Sequence, residues 1–216
     1  MGAAAAPPCP HPPGWPKIGP VITLQRHLAA WAYQNAWANH RLLKACAALS
    51  PEDFAAPRTS FFPSLKATLN HIVTVDWMYA DAMERAMAGR EPHPDLASFY
   101  EPEQPFETVA ALAPAQRAVD RRFIALCESL GPADLERPVA LLRRKGRVEE
   151  AMHRLLAHVF GHQVHHRGQA HAMLAGTAVA PPQLDEFFCA NEADLRAAEL
   201  AELGFSEETV WPQPKA

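Results

Sequence analysis

Five of the chain's 11 histidines fall between His158 and His171, in the segment His158-Val159-Phe160-Gly161-His162-Gln163-Val164-His165-His166-Arg167-Gly168-Gln169-Ala170-His171. Imidazole is the side chain that most often ligates a divalent transition metal, and it does so in its neutral form. On a helix, residues four apart lie one turn apart on one face, roughly 5–6 Å between Cβ atoms, so His158, His162 and His166 would form a ladder. Two neighbouring rungs can grip one ion. His162 and His166 make the i, i+4 pair by which a helix offers two imidazoles, with His165 on the same side. The third ligand must come from elsewhere. Apart from those near the start of the chain, the other histidine inside a strongly amphipathic helical stretch is His71, in Ser64-Leu65-Lys66-Ala67-Thr68-Leu69-Asn70-His71-Ile72-Val73. His71, His162 and His166 are therefore the candidate metal ligands.

Three protein ligands with one open position mark a reactive metal centre rather than a structural one. Such an ion makes a water or a thiol easier to deprotonate, so the centre supports hydrolysis or thiol-dependent transfer. Each ligand imidazole needs an outer partner for its second ring nitrogen, and Asn70, Asp76 and Gln169 are the candidates by sequence proximity. His158 and His165 are expected to flank the site, and His153 and His171 to face solvent. The zinc-protease pattern HExxH is absent, because Gln163 stands where its glutamate would be. A lone His71 would usually be a satisfied core histidine. Crowding on the later segment shifts that balance, since imidazoles packed on one helix face are costly without an ion to draw their lone pairs together.

The elements that must position these residues read as helices. From Thr23, a plausible cap, Leu24, Leu28, Trp31, Ala32, Asn35, Leu42, Leu43 and Ala47 recur at helical spacing. His27 and His40 on this helix are expected at or near the surface. Ser50-Pro51-Glu52-Asp53 starts a single turn. A second helix is expected from Ser64 to Ala88, stopped by Gly89. The proline-punctuated stretch Arg90 to Pro105 is long for a connection, fitting a crossover or a lid over a site. A third helix is expected over Phe106 to Leu130 and a fourth over Glu149 to Ala175, with a weak hairpin signal between Leu135 and Val148. Leu184, Phe187, Phe188 and Leu195 point to one more helix ending near Glu202. Trp31, Trp37 and Trp77 fall at helical spacing and read as packing.

Composition bounds the rest. A chain of 216 residues, 49% hydrophobic and 20% charged, fits one domain with a full core. Its formal charge of −4 provides no basic field for nucleic acid, and the cluster Arg143-Arg144-Lys145-Gly146-Arg147 reads as a solvated turn. The four cysteines, Cys9, Cys46, Cys127 and Cys189, show no CxxC spacing and are expected to be reduced. No run approaches the roughly 18 apolar residues of a membrane span, and Met1 to Pro8 shows no signal pattern, so a cytoplasmic location is expected. Residues 1–20 hold 7 of the 21 prolines and are expected to form a disordered or surface-draped arm. The bundle is expected over 21–205 and a tail over 206–216.

Three blocks resemble the DinB/YfiT-like metalloenzyme family: Trp37-Ala38-Asn39-His40-Arg41-Leu42-Leu43, Ser64 through Trp77 around Leu69-Asn70-His71, and His158 through Gln169. The resemblance implies an all-α four-helix bundle, up-down-down-up, here with an extra C-terminal helix, often a homodimer. It also implies a nickel or zinc ion on three histidines, and the pattern falls on His71, His162 and His166. Relatives include transferases and isomerases that use mycothiol, bacillithiol or glutathione, so a small-molecule substrate and a low-molecular-weight thiol are the partners it implies. Two positions depart from the pattern. Gly161 replaces an expected polar residue, at about 1 kcal/mol relative to alanine, and would leave room near the metal. Tyr79 stands where a tryptophan is expected. The competing readings are a non-catalytic, stress-responsive protein with a structural ion, and a metal-free interaction module.

Overall fold

The computed structural model describes residues 22–143 and 145–212, and the arm expected over 1–20 lies outside them. The chain opens with α1 (Leu24–Cys46), a short α2 (Pro51–Ala55) and α3 (Leu65–Met87). After a loop with one 3-10 turn come α4 (Val109–Ser129), the strands β1 (Pro138–Arg143) and β2 (Gly146–Ala151), and α5 (Met152–Leu174). Two further helices, α6 (Ala193–Leu203) and α7 (Glu207–Val210), close the described chain. The molecule is a mainly helical bundle, as the periodicity required.

Local chemistry sets the helix starts. The hydroxyls of Thr23, Ser50, Ser64 and Thr108 accept from the backbone N–H three residues on, at 3.2, 3.0, 3.1 and 3.2 Å. Each cap satisfies a donor that the helix cannot use, a stabilisation of about 1 kcal/mol. Thr108 therefore starts α4 at Val109, three residues later than the expected Phe106. α5 has no side-chain cap and starts at Met152, not near Glu149, because residues 146–151 are committed to β2. The Met152 N–H instead donates to the carbonyl of Arg137 at 3.0 Å. The hairpin is antiparallel, pairing Val139 with Glu150 and Leu141 with Val148, and it buries Val139 and Leu141.

α1 packs on α4 and α5, and α3 packs on the same two helices, so α1 and α3 stand diagonally across the bundle. One apolar cluster joins Trp37, Phe123, Leu156, Phe160 and Phe187; a second joins Leu42, Phe54, Leu65, Ile72 and Leu174. Trp37 is fully buried, in keeping with its packing role, while Trp31 and Trp77 are half-buried. The C-terminal helices lie against α1 and are tied to each other by buried Arg196 of α6, which donates to both Glu207 oxygens of α7 at 2.7 and 2.9 Å. The helical turn α7 falls in the stretch read as the tail, and its Val210 is buried. Cys46, Cys127 and Cys189 are unpaired, and among the described residues no helix is long and apolar enough to cross a membrane.

Candidate metal centre

Two helices deliver the three imidazoles. α3 contributes His71, two turns from its Ser64 cap, and α5 contributes His162 and His166 from adjacent turns. One ligand nitrogen from each ring lies within 4.8 Å of the others. The Nε2 atoms of His71 and His162 are 3.1 Å apart, and the ring of His166 stands 4.4 Å from His162 and 4.7 Å from His71. Sequence spacing and folding thus select the same trio.

The charge state of this trio suits a metal. Burial, then the neighbouring His166, pushes the His71 pKa down to about 4. His162 falls to about 3 through burial and the four surrounding histidines, and His166 is lowered by burial. At neutral pH the imidazoles are uncharged, as coordination requires. Gln169 settles the tautomer of His166: its amide oxygen can only accept, so His166 Nδ1 carries the proton at 2.8 Å and leaves Nε2 bare. His162 Nδ1 is buried without a hydrogen-bond partner. A divalent ion among the three rings fits this donor set, because it gives the facing His71 and His162 nitrogens a common acceptor for their lone pairs.

The outer residues divide. Gln169 touches two histidines, accepting from His166 and donating its amide to His165 Nε2 at 3.0 Å. Asn70 faces the other way and bonds the carbonyls of Lys66 and Phe106 and the Phe106 N–H, tying the start of the α4 segment to α3. Asp76 lies in the bundle interior and accepts from Gln116 at 2.8 Å and from Gln163. His158 and His165 flank the trio on its exposed side; the His158 ring is 6.4 Å from His162 and 5.5 Å from Tyr79. His153 and His171 do not face open solvent as expected. His153 is half-buried 3.6 Å from Glu136, and His171 Nε2 bonds the Pro182 carbonyl at 3.0 Å. Gly161 makes no room for an ion either: it is exposed and lines a groove with Trp31, Phe160 and Val164. His27 is exposed, and half-buried His40 pairs with Glu202 at 2.7 Å.

Several residues at the site escaped the sequence reading. Phe62 packs its ring 4.4 Å from His71 and 5.5 Å from His166, and Phe61, 76% exposed, reaches over His166 at 6.3 Å. Paired aromatics just ahead of a helix cap were the available signal. A cavity of about 650 Å³ opens beside His71, bounded by Phe62, Thr74, Leu96, Tyr100, Glu101 and Glu103. The stretch Arg90 to Pro105 therefore does wall the site. The hairpin tip is not merely a solvated turn, because Arg143 donates to the Tyr79 hydroxyl at 2.7 Å.

A search among curated proteins finds no match. The DinB family model matches residues 25–199, spanning all four long helices and the three histidines, and the chain belongs to the DinB family.

Proposed function

We propose that this protein is a divalent-metal enzyme that uses a three-histidine centre, loaded with nickel or zinc, to promote attack of a low-molecular-weight thiol or water on a small electrophile. The observation that carries the reading is the convergence of three neutral imidazoles, of which His71 lines a cavity large enough for a small molecule. An ion held by His71, His162 and His166 would supply Lewis acidity and favour the deprotonated form of a thiol or water. The protein's own groups prepare that chemistry. Phe62 covers one side of the rings and keeps bulk water from it. Gln169 holds His166 with its bare nitrogen inward, and the aromatic faces of Phe62 and Tyr100 offer an apolar wall for the electrophile.

The alternative, an ion that only tightens the bundle, calls for a fourth protein ligand. His165 and His158 are the nearest candidates in sequence, yet the His165 Nε2 lone pair already accepts a hydrogen bond from the Gln169 amide and the His158 ring turns toward Tyr79. Metal content of the purified protein, followed by assays with nickel or zinc, candidate thiols, and epoxide, halo-aromatic or maleyl substrates, tests the proposal. Metal-dependent turnover that disappears in His162→Ala is the expected result. Turnover unchanged in that variant would remove the catalytic role.

A further inference from the structure

The residue that follows each α5 ligand points the other way, into the bundle. Gln163, next to His162, is fully buried, and Arg167, next to His166, is 3% exposed. Gln163 donates its amide to Asp76 of α3, the helix that carries His71. Arg167 donates to Asn35 and, at 3.0 Å, to Asn39, both on α1, and to Gln163 at 3.1 Å. Those asparagines in turn donate to Asp120 of α4 at 3.1 and 2.9 Å. Gln116 closes the web between Asp76 and Asp120 at 2.8 and 3.1 Å. α5 is thereby held by directed bonds to its two neighbours, α3 and α1, and through their side chains to Asp120 of α4.

Stability alone does not ask for this arrangement. Well-packed apolar residues in place of a buried charged network are commonly neutral or stabilising. Such a network does hold what an apolar core leaves loose, the rotation of a helix about its own axis. Adjacent helical positions differ by about 100°, so turning α5 to break the Gln163 and Arg167 bonds swings His162 and His166 away from His71. The web spans α1, α3, α4 and α5 and meets α5 only at residues adjacent to ligands.

Resting on the metal-centre reading, we propose that Gln163 and Arg167 are positioning residues, which set the rotation of α5 through Asp76 and Asp120 and thereby hold the two α5 imidazoles on the point His71 addresses. Metal affinity and coordination geometry then depend on the web beyond its share in stability. Outer partners that orient ligands typically change metal affinity by about 10–100-fold.

Cobalt(II) is the probe, because its absorption bands report ligand geometry while titration gives affinity without turnover. Gln163→Leu is expected to bind cobalt about tenfold or more weakly, with shifted bands, at a temperature where its helicity is intact. Gln163→Asn, which keeps an amide but withdraws it from Asp76, covers the case in which the leucine variant does not fold, and should show the same loss. Asp76→Asn preserves an oxygen for both amide donors and should keep wild-type affinity and spectrum, whereas Asp76→Ala should not. Val210→Ala, a core change on α7 outside the web, should lower the thermal midpoint and leave cobalt binding unchanged. The proposal is overturned if Gln163→Asn binds cobalt with wild-type affinity and bands, or if Val210→Ala weakens binding as much for an equal loss of stability. Failure of the wild-type protein to bind cobalt would overturn the metal-centre reading as well, so the two failures are distinguishable.

Discussion

Burial holds His71 down to about 4 and His162 down to about 3, against an unperturbed histidine value of about 6.5. Because the folded values are the lower ones, neutral imidazoles favour the native state fully above about pH 6.5. That contribution is lost as pH falls through about 4 and then about 3. Thermal midpoints of the metal-free protein should therefore drop on acidification from about pH 7 to 4, and drop less in His71→Phe. Asp76 carries the opposite sign. Burial, followed by the nearby Asp120, raises it to about 8, so its contribution is full below about pH 4 and is lost as pH rises through about 8. Asp76→Asn should accordingly remain stable above about pH 8 better than wild type, measured by denaturant midpoint, with little difference near pH 4. Metal should stabilise the wild-type protein by about 2.7 kcal/mol at a hundredfold excess over Kd, and raise its thermal midpoint accordingly. In His71→Ala that rise should vanish at the same metal concentration, read by scanning calorimetry.

At the scale of elements, α5 is a helix with two working faces and one idle one. His162 and His166 face His71 at the candidate centre, Gln163 and Arg167 face the interior, and Gly161, Val164 and Gly168 lie exposed. A Cβ built on Gly161 meets nothing within 4 Å. Glycine inside a helix is about 0.8–1.0 kcal/mol less favourable than alanine. Gly161→Ala should therefore stabilise the protein by up to about 1 kcal/mol and leave metal affinity unchanged, a result that chemical denaturation and metal titration check together. The sequence reading linked this glycine to the metal because it precedes His162. One residue along a helix is about 100° around it, and that turn carries the position to the outer surface.

For the whole molecule, the C-terminal helices depend on a charge placed where water does not reach. Arg196 is 1% exposed, donates to both Glu207 oxygens and to the Cys189 carbonyl, and lies 5.7 Å from the centre of the Phe187 ring. Removing the carboxylate leaves a buried guanidinium short of its partner. Glu207→Ala should thus destabilise by about 2–3 kcal/mol, below the cost of a wholly buried pair because Glu207 is partly exposed. Arg196→Met should cost less than Glu207→Ala, since it removes the charge as well as the pair. Urea midpoints of the two variants measure the difference. Neither change should alter metal binding, because the contacts lie at the C-terminal helices rather than at the three histidines.

The sequence by itself determined the helical class, the caps at Thr23 and Ser64 and the histidine trio, because each rests on local periodicity or on contacts three or four residues apart. His162 and His166 were legible as a pair for that reason. His71 was legible because few other histidines sit in an apolar helical pattern. Asn35, lying among apolar positions of α1, was a visible sign of a buried polar web, yet its partners Arg167 and Asp120 are 132 and 85 residues away. Tertiary structure alone decided those pairings, the covering of His71 by Phe62, the reach of Arg143 to Tyr79 and the cavity walled by residues 96–103. Each joins elements whose relative placement is fixed by the packing of the whole core, which no short stretch of chain encodes.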